Sequence, residues 1–139
     1  MTRTLRAIIA CLSFQLFARG LDYATGNPRQ GVGVFQVESL NPPLVWGIVC
    51  MVAALMVAVG LIGKWTQIVR DGAILSATIY LVFAIMTIDD ISWSPPDDWR
   101  FCTGYLASCA IWAVIAVSLS VRMAVEKNRR ERRGRDADH

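Results

Sequence analysis

Apolar residues gather along this chain into four runs separated by polar stretches. The clearest run is Leu44–Gly63, LVWGIVCMVAALMVAVGLIG, which carries no charge over twenty residues. At about 1.5 Å of rise per residue, a helix of that length spans roughly 30 Å, the thickness of a bilayer's hydrocarbon core. A second long run is Phe101–Val121, and Gly72–Ile88 is shorter, at the low end of the spanning range. The weakest is Ala7–Ala18, whose flanks extend it from Leu5 to Ala24. The pattern predicts an all-α, polytopic membrane protein with four transmembrane helices at about 5–24, 43–63, 72–88 and 97–121, followed by a polar tail over 122–139.

Composition agrees with this reading. The chain has 139 residues, enough for one domain, and is 55% hydrophobic yet 18% charged, so its charges must be segregated from its apolar runs. Positive charge also sorts by side. Arg3 and Arg6 precede the first run, Lys64 and Arg70 separate the second from the third, and seven more basic residues follow the fourth. With four spans these regions share one face and hold eleven of the fourteen basic residues, which predicts cytoplasmic N- and C-termini in the cell's inner (plasma) membrane. A different use of the first run is a cleaved signal peptide: Arg3 and Arg6 form its basic start, Ala7–Ala18 its apolar centre and Ala18-Arg19-Gly20 its small-x-small cleavage site. Cleavage would leave three spans in the same orientation. If the run stays, Arg19 is placed to snorkel outward and to pair with Asp22 one turn away.

Local signals mark the connections. Gly26-Asn27-Pro28 reads as a turn, and Gly31–Ser39 alternates loosely, as a short strand or an interfacial segment would. Asn41-Pro42-Pro43 and Ser94-Pro95-Pro96 read as helix starts, with a capping side chain followed by prolines that need no hydrogen-bonded N–H. Ser94 and Asp97 have capping-box spacing. Trp46 and Trp99 then fall at the outer interface, where indoles are favoured. The shared pattern fits either a duplicated hairpin or convergent helix-start chemistry. Lys64–Asp71 reads as a short cytoplasmic turn that makes the second and third helices antiparallel neighbours.

Lipid offers no hydrophobic drive for helices to associate, so small and weakly polar residues mark the faces that meet. The candidates are Ala54, Ala58, Gly60 and Gly63 in the second run, and Ala73, Ala77, Tyr80, Ala84 and Thr87 in the third. In the fourth they are Cys102, Cys109, Ala113, Ala116 and Ser120. These stripes suit packing within a four-helix bundle or assembly of several copies. Ser13 and Gln15 in the first run, and Ser76, Thr78, Tyr80 and Thr87 in the third, are expected to form hydrogen bonds between helices. No acidic or basic residue lies deep in the last three runs, which argues against an ion pump or proton-coupled carrier.

Reactive chemistry is hard to assemble from these residues. The single histidine is His139, which disfavours a Ser-His-Asp triad or a histidine metal site, and no Gly-rich phosphate loop occurs. We expect no enzyme activity, no cofactor and no metal. The four cysteines read as apolar packing residues, with Cys50 and Cys109 at similar depth for a cross-helix link. The outer connection Asp89–Arg100 holds four aspartates that suit either a divalent cation or helix capping and solvation. In the tail, Arg122, Lys127, Arg129, Arg130, Arg132 and Arg133 form a cluster that attracts anionic lipid headgroups, so nucleic acid need not be invoked.

The overall plan of short spans, short loops and a basic cytoplasmic tail resembles the small multi-span membrane proteins of actinobacterial phages, including holin-like proteins of lysis cassettes. That resemblance implies a homo-oligomer that opens membrane lesions for an endolysin. The other expectation is an accessory subunit of a larger membrane transporter or channel complex, docking a membrane-protein partner through the small-residue faces.

Overall fold

The computed structural model describes residues 1–25, 43–93 and 99–137. They form four helices: α1 (Arg3–Thr25), α2 (Pro43–Ile62), α3 (Thr66–Trp93) and α4 (Trp99–Ala137). Each contains a segment long and apolar enough to cross a membrane. The segment expected at Gly31–Ser39, the helix starts at Asn41-Pro42 and Ser94–Asp98, and the side chains of the acidic connection lie outside the described residues. Packing runs in chain order, α1 on α2, α2 on α3 and α3 on α4.

The α1–α2 seam has a regular register. Arg6 donates from Nη2 to the Leu61 carbonyl (2.6 Å), and Ser13 Oγ donates to the Ala54 carbonyl (2.8 Å). One heptad further on, Gly20 and Gly47 touch backbone to backbone. Each step of seven residues along α1 is thus a step of seven back along α2, the repeat of an antiparallel coiled-coil pair. The buried residues of α1, Ile9, Ser13, Leu16 and Gly20, follow the matching spacing of four, three and four. A Cβ on Gly47 would lie 2.7 Å from the Gly20 carbonyl oxygen, so the close approach depends on both glycines.

The α2–α3 seam also uses glycine. A Cβ on Gly60 would lie 2.8 Å from Val69, and one on Gly72 would lie 2.7 Å from a Val57 methyl. Between these helices the chain turns in only three residues, Gly63–Trp65. Lys64 takes the left-handed conformation (φ 59°), and the Trp65 N–H donates to the Gly60 carbonyl at 2.9 Å. This is a Schellman ending with lysine at the position glycine usually occupies. The expected Lys64–Asp71 turn is therefore corrected: α3 is already helical at Thr66, and the third span is longer than its apolar run because polar Gln67, Arg70 and Asp71 form its first turns.

At the far end of the chain, α4 continues without a break to Ala137. Its 39 residues correspond to roughly 58 Å, about twice the bilayer core. Past its apolar run it stands out as an exposed helix carrying Arg122, Lys127, Arg129, Arg130, Arg132 and Arg133. Glu126–Arg130 and Lys127–Glu131 pairs (3.9 and 4.0 Å) lie along it. Exposed pairs of this kind contribute only about 0.3–0.5 kcal/mol each.

Candidate functional site

The small-residue stripes are largely used within the single chain. Ala54, Ala73, Ala84 and Ala116 are buried, Gly60 is pressed against Val69, and Tyr80 is buried at 1% exposure. Ala77 and Cys109 are half-buried against the same core, and Ala113 and Ser120 lie at its margin. Two candidates depart from expectation. Gly63 is exposed, and the atoms nearest to a Cβ on it would be those of the Trp65 ring, because the chain turns there before reaching another helix. Ala58 is half-buried and lines a lipid-facing groove between α1 and α2.

Hydrogen bonding also differs from expectation. Ser13 does cross to another helix, but Ser76, Thr78, Thr87 and Ser120 donate to the carbonyls four residues back on their own helices, at 2.7–3.0 Å. A hydroxyl on a helix can satisfy itself locally, so it need not hold a neighbour. Gln15 is exposed on α1. Among the described residues no buried side-chain polar atom lacks a partner. Cys50 and Cys109 are both free thiols, as are Cys11 and Cys102, so the cross-helix link is absent.

What the structure assembles instead is a cluster around Arg19. Its guanidinium lies 5.0 Å from the Tyr105 ring centroid and 5.7 Å from that of Tyr80. Arg19 therefore turns inward, and neither the outward snorkelling nor the Arg19–Asp22 pair is present among the described residues. The reason is a better-matched partner: two tyrosine faces offer a cation a site that lipid tails cannot. Arg19 lies near the end of α1 and Tyr105 near the start of α4, so the charge sits toward one end of the bundle.

All four helices contribute around this charge. Tyr23 of α1 and Tyr105 of α4 share a hydrogen bond between hydroxyls at 3.3 Å. Phe83 of α3 is the hub, with edge contacts to Tyr23 (5.7 Å), Trp46 of α2 (5.4 Å) and Tyr105 (5.6 Å). Trp46 is thus drawn into the bundle as well as lying at this end of it. Cys50 of α2 packs beside Gly20, one residue from the arginine. The cluster ties α1 to α3 and α4, with which it otherwise shares little surface.

Sequence reasoning located Arg19 and Tyr80 but gave them separate tasks. The available signal was an arginine within a spanning segment together with tyrosines in two others. An ionisable residue within a spanning segment is a functional candidate by default because of its cost in lipid. Gly20, Gly47 and Gly72 were also missed, since the stripes were drawn chiefly through alanines. Among the described residues no group of three or more His, Cys, Asp or Glu side chains is placed to hold a metal. Compared with known protein families, curated proteins and solved structures, the chain matches none.

Proposed function

We propose that this chain is a small integral membrane protein of the plasma membrane that acts by helix association in the bilayer, in the manner of a holin-like lysis protein. The supporting observation is that the interior of one copy is filled. Trp112, Tyr80, Phe83 and Leu119 are all essentially buried, and the Arg19 cluster closes one end. A passage for ions or proteins would then form between copies, not through one. A surface for such contact is the lipid-facing side of α4, where Gly104, Ala107, Ala110, Val114, Ser118 and Val121 recur at helical spacing. The small residues among these, Gly104, Ala107, Ala110 and Ser118, let helices approach closely. The excess of basic residues at the end bearing Arg6, Lys64 and the tail supports a cytoplasmic location for both termini.

The test is controlled expression in a bacterial host with a potential-sensitive dye. Sudden depolarisation and growth arrest at a reproducible time are expected, with delay or loss on replacing Gly104 and Ala107 by leucine. Harmless accumulation of the full-length protein to high levels would overturn the lysis reading. The second reading, an accessory subunit, draws on the long α4. It projects a cationic helix beyond the bilayer, where it suits an acidic surface of a larger complex. Co-purification with a stoichiometric membrane partner would favour it.

A further inference from the structure

Between the middle of the α1–α2 seam and the end of the bundle opposite the tyrosine cluster lie two neighbouring cavities. One is a groove of about 410 Å³ between α1 and α2, open to the lipid and lined by Ala10, Phe14, Phe17, Ala58, Leu61 and Ile62 among others. The other is a pocket of about 280 Å³ where α1 meets the α2–α3 turn, lined by Arg6, Leu61, Lys64, Thr66 and Val69 among others. Leu61 lines both, so the apolar groove along the bundle wall and the cationic pocket near its end are neighbours that share a wall.

The chemistry of the two parts is complementary to one kind of molecule. Arg6 uses a guanidinium nitrogen on the Leu61 carbonyl, but arginine has five N–H donors, so others are available. Lys64 has no ion-pair or hydrogen-bond partner among the described residues, and its backbone is held in a tight turn. The acidic residue nearest to it along the chain, Asp71, is taken by Arg70 at 2.6 Å. The first turn of α3 also opens here, because Val69 is the first residue whose N–H finds a backbone carbonyl, that of Trp65 (3.2 Å). The N–H groups before it add partial positive charge on the same side.

The geometry points to a binding site for one anionic phospholipid, with its phosphate held by Arg6, Lys64 and the start of α3 and an acyl chain lying along the groove past Ala58. This site is separate from the cationic tail of α4, whose described charges stand on an exposed helix. It requires only that the bundle be embedded in a bilayer, so it stands whether or not the protein forms lesions.

Native mass spectrometry of the full chain released from nanodiscs of mixed phosphatidylcholine and phosphatidylglycerol tests this directly. One phosphatidylglycerol should survive activation that strips the other lipids. Each basic residue near a headgroup contributes about 1 kcal/mol, so Lys64→Gln should weaken retention about fivefold. Arg6→Lys, which keeps the charge, should largely preserve it, and a helical circular dichroism spectrum identifies variants that remain folded. Ala58→Phe, which fills the groove, should lower retention without changing either cation. Neutralising Arg129, Arg130, Arg132 and Arg133 together should leave the retained lipid in place. Equal retention of phosphatidylcholine would overturn the proposal, as would loss on tail neutralisation without loss in Lys64→Gln. Displacement by inorganic phosphate would assign the pocket to a free anion, and a dimer without lipid would assign the groove to a second copy; either result overturns it.

Discussion

Gly20 and Gly47 face each other across the α1–α2 seam, and each occupies the space that a side chain on the other would need: a Cβ on Gly20 would lie 2.8 Å from the Gly47 carbonyl oxygen, and one on Gly47 would lie 2.7 Å from that of Gly20. The obstacle is backbone in both directions, so it cannot rotate away. Gly47→Ala should therefore wedge α1 from α2 and cost about 1–3 kcal/mol, the range for overpacked sites. Gly104→Ala is the control, since its Cβ meets nothing within 4 Å. It should be neutral or stabilise α4 by up to about 1 kcal/mol. Thermal unfolding in detergent, followed by circular dichroism, separates the two outcomes.

Lys64 pays a conformational penalty that glycine would not, because its φ of 59° lies in the left-handed region. Lys64→Gly should stabilise the α2–α3 hairpin by about 0.5–1 kcal/mol and raise the unfolding midpoint. A lowered midpoint would show that the lysine side chain contributes more than the turn conformation costs.

Arg19 presents two opposing terms. Its charge costs free energy to hold in an apolar setting, while stacking over Tyr80 and Tyr105 returns up to about 2 kcal/mol when desolvated. A single Arg19→Met substitution mixes both. The decisive measurement is a double-mutant cycle of Arg19→Met with Tyr105→Leu, where a coupling of about 0.5–2 kcal/mol is expected. Additive effects would mean that the stacking contributes nothing.

The hydroxyls should divide into two classes. Ser13→Ala removes a bond to another helix, and such bonds in membranes average about 0.6 kcal/mol. Ser76→Ala and Thr87→Val remove only bonds to carbonyls of their own helix, so their cost should be smaller. Unfolding free energies from denaturant titration in mixed micelles test the ranking. A larger loss from Ser76→Ala than from Ser13→Ala would contradict it.

Oxidation offers a check on the packing of the cysteines. Cys50 is buried and Cys11 is exposed on α1, and the thiols are free. In detergent-solubilised protein a small maleimide should label the exposed Cys11 faster than the buried Cys50, which should react fully only after unfolding. Mild oxidants should produce no intramolecular Cys50–Cys109 product on non-reducing gels.

The four helices were legible because bilayer thickness imposes a length on each apolar run, and Leu44–Gly63 meets it without a single charge. Helix starts and ends were less legible. Thr66–Asp71 is polar by composition, yet it becomes helix because the Schellman ending at Lys64 turns the chain at once onto α3. The stripes along Ala54, Ala73, Ala84 and Ala116 were readable as packing faces, since small residues are needed wherever helices approach closely. Gly63 shares that composition but falls in the turn, where no second helix is available.

The amino-acid sequence by itself determined that this is a four-helix membrane chain with its basic residues gathered mostly at one end, because hydropathy and charge act segment by segment. Only the tertiary structure decided what each polar group inside the bundle does. Arg19 turns inward because Tyr80 of α3 and Tyr105 of α4 come together beneath it, and Ser13 bonds across a seam whose register is set by Gly20 and Gly47 one heptad away. Those partners lie dozens of residues apart along the chain. Their meeting depends on how closely the backbones approach, a distance that the order of residues along any one helix does not specify.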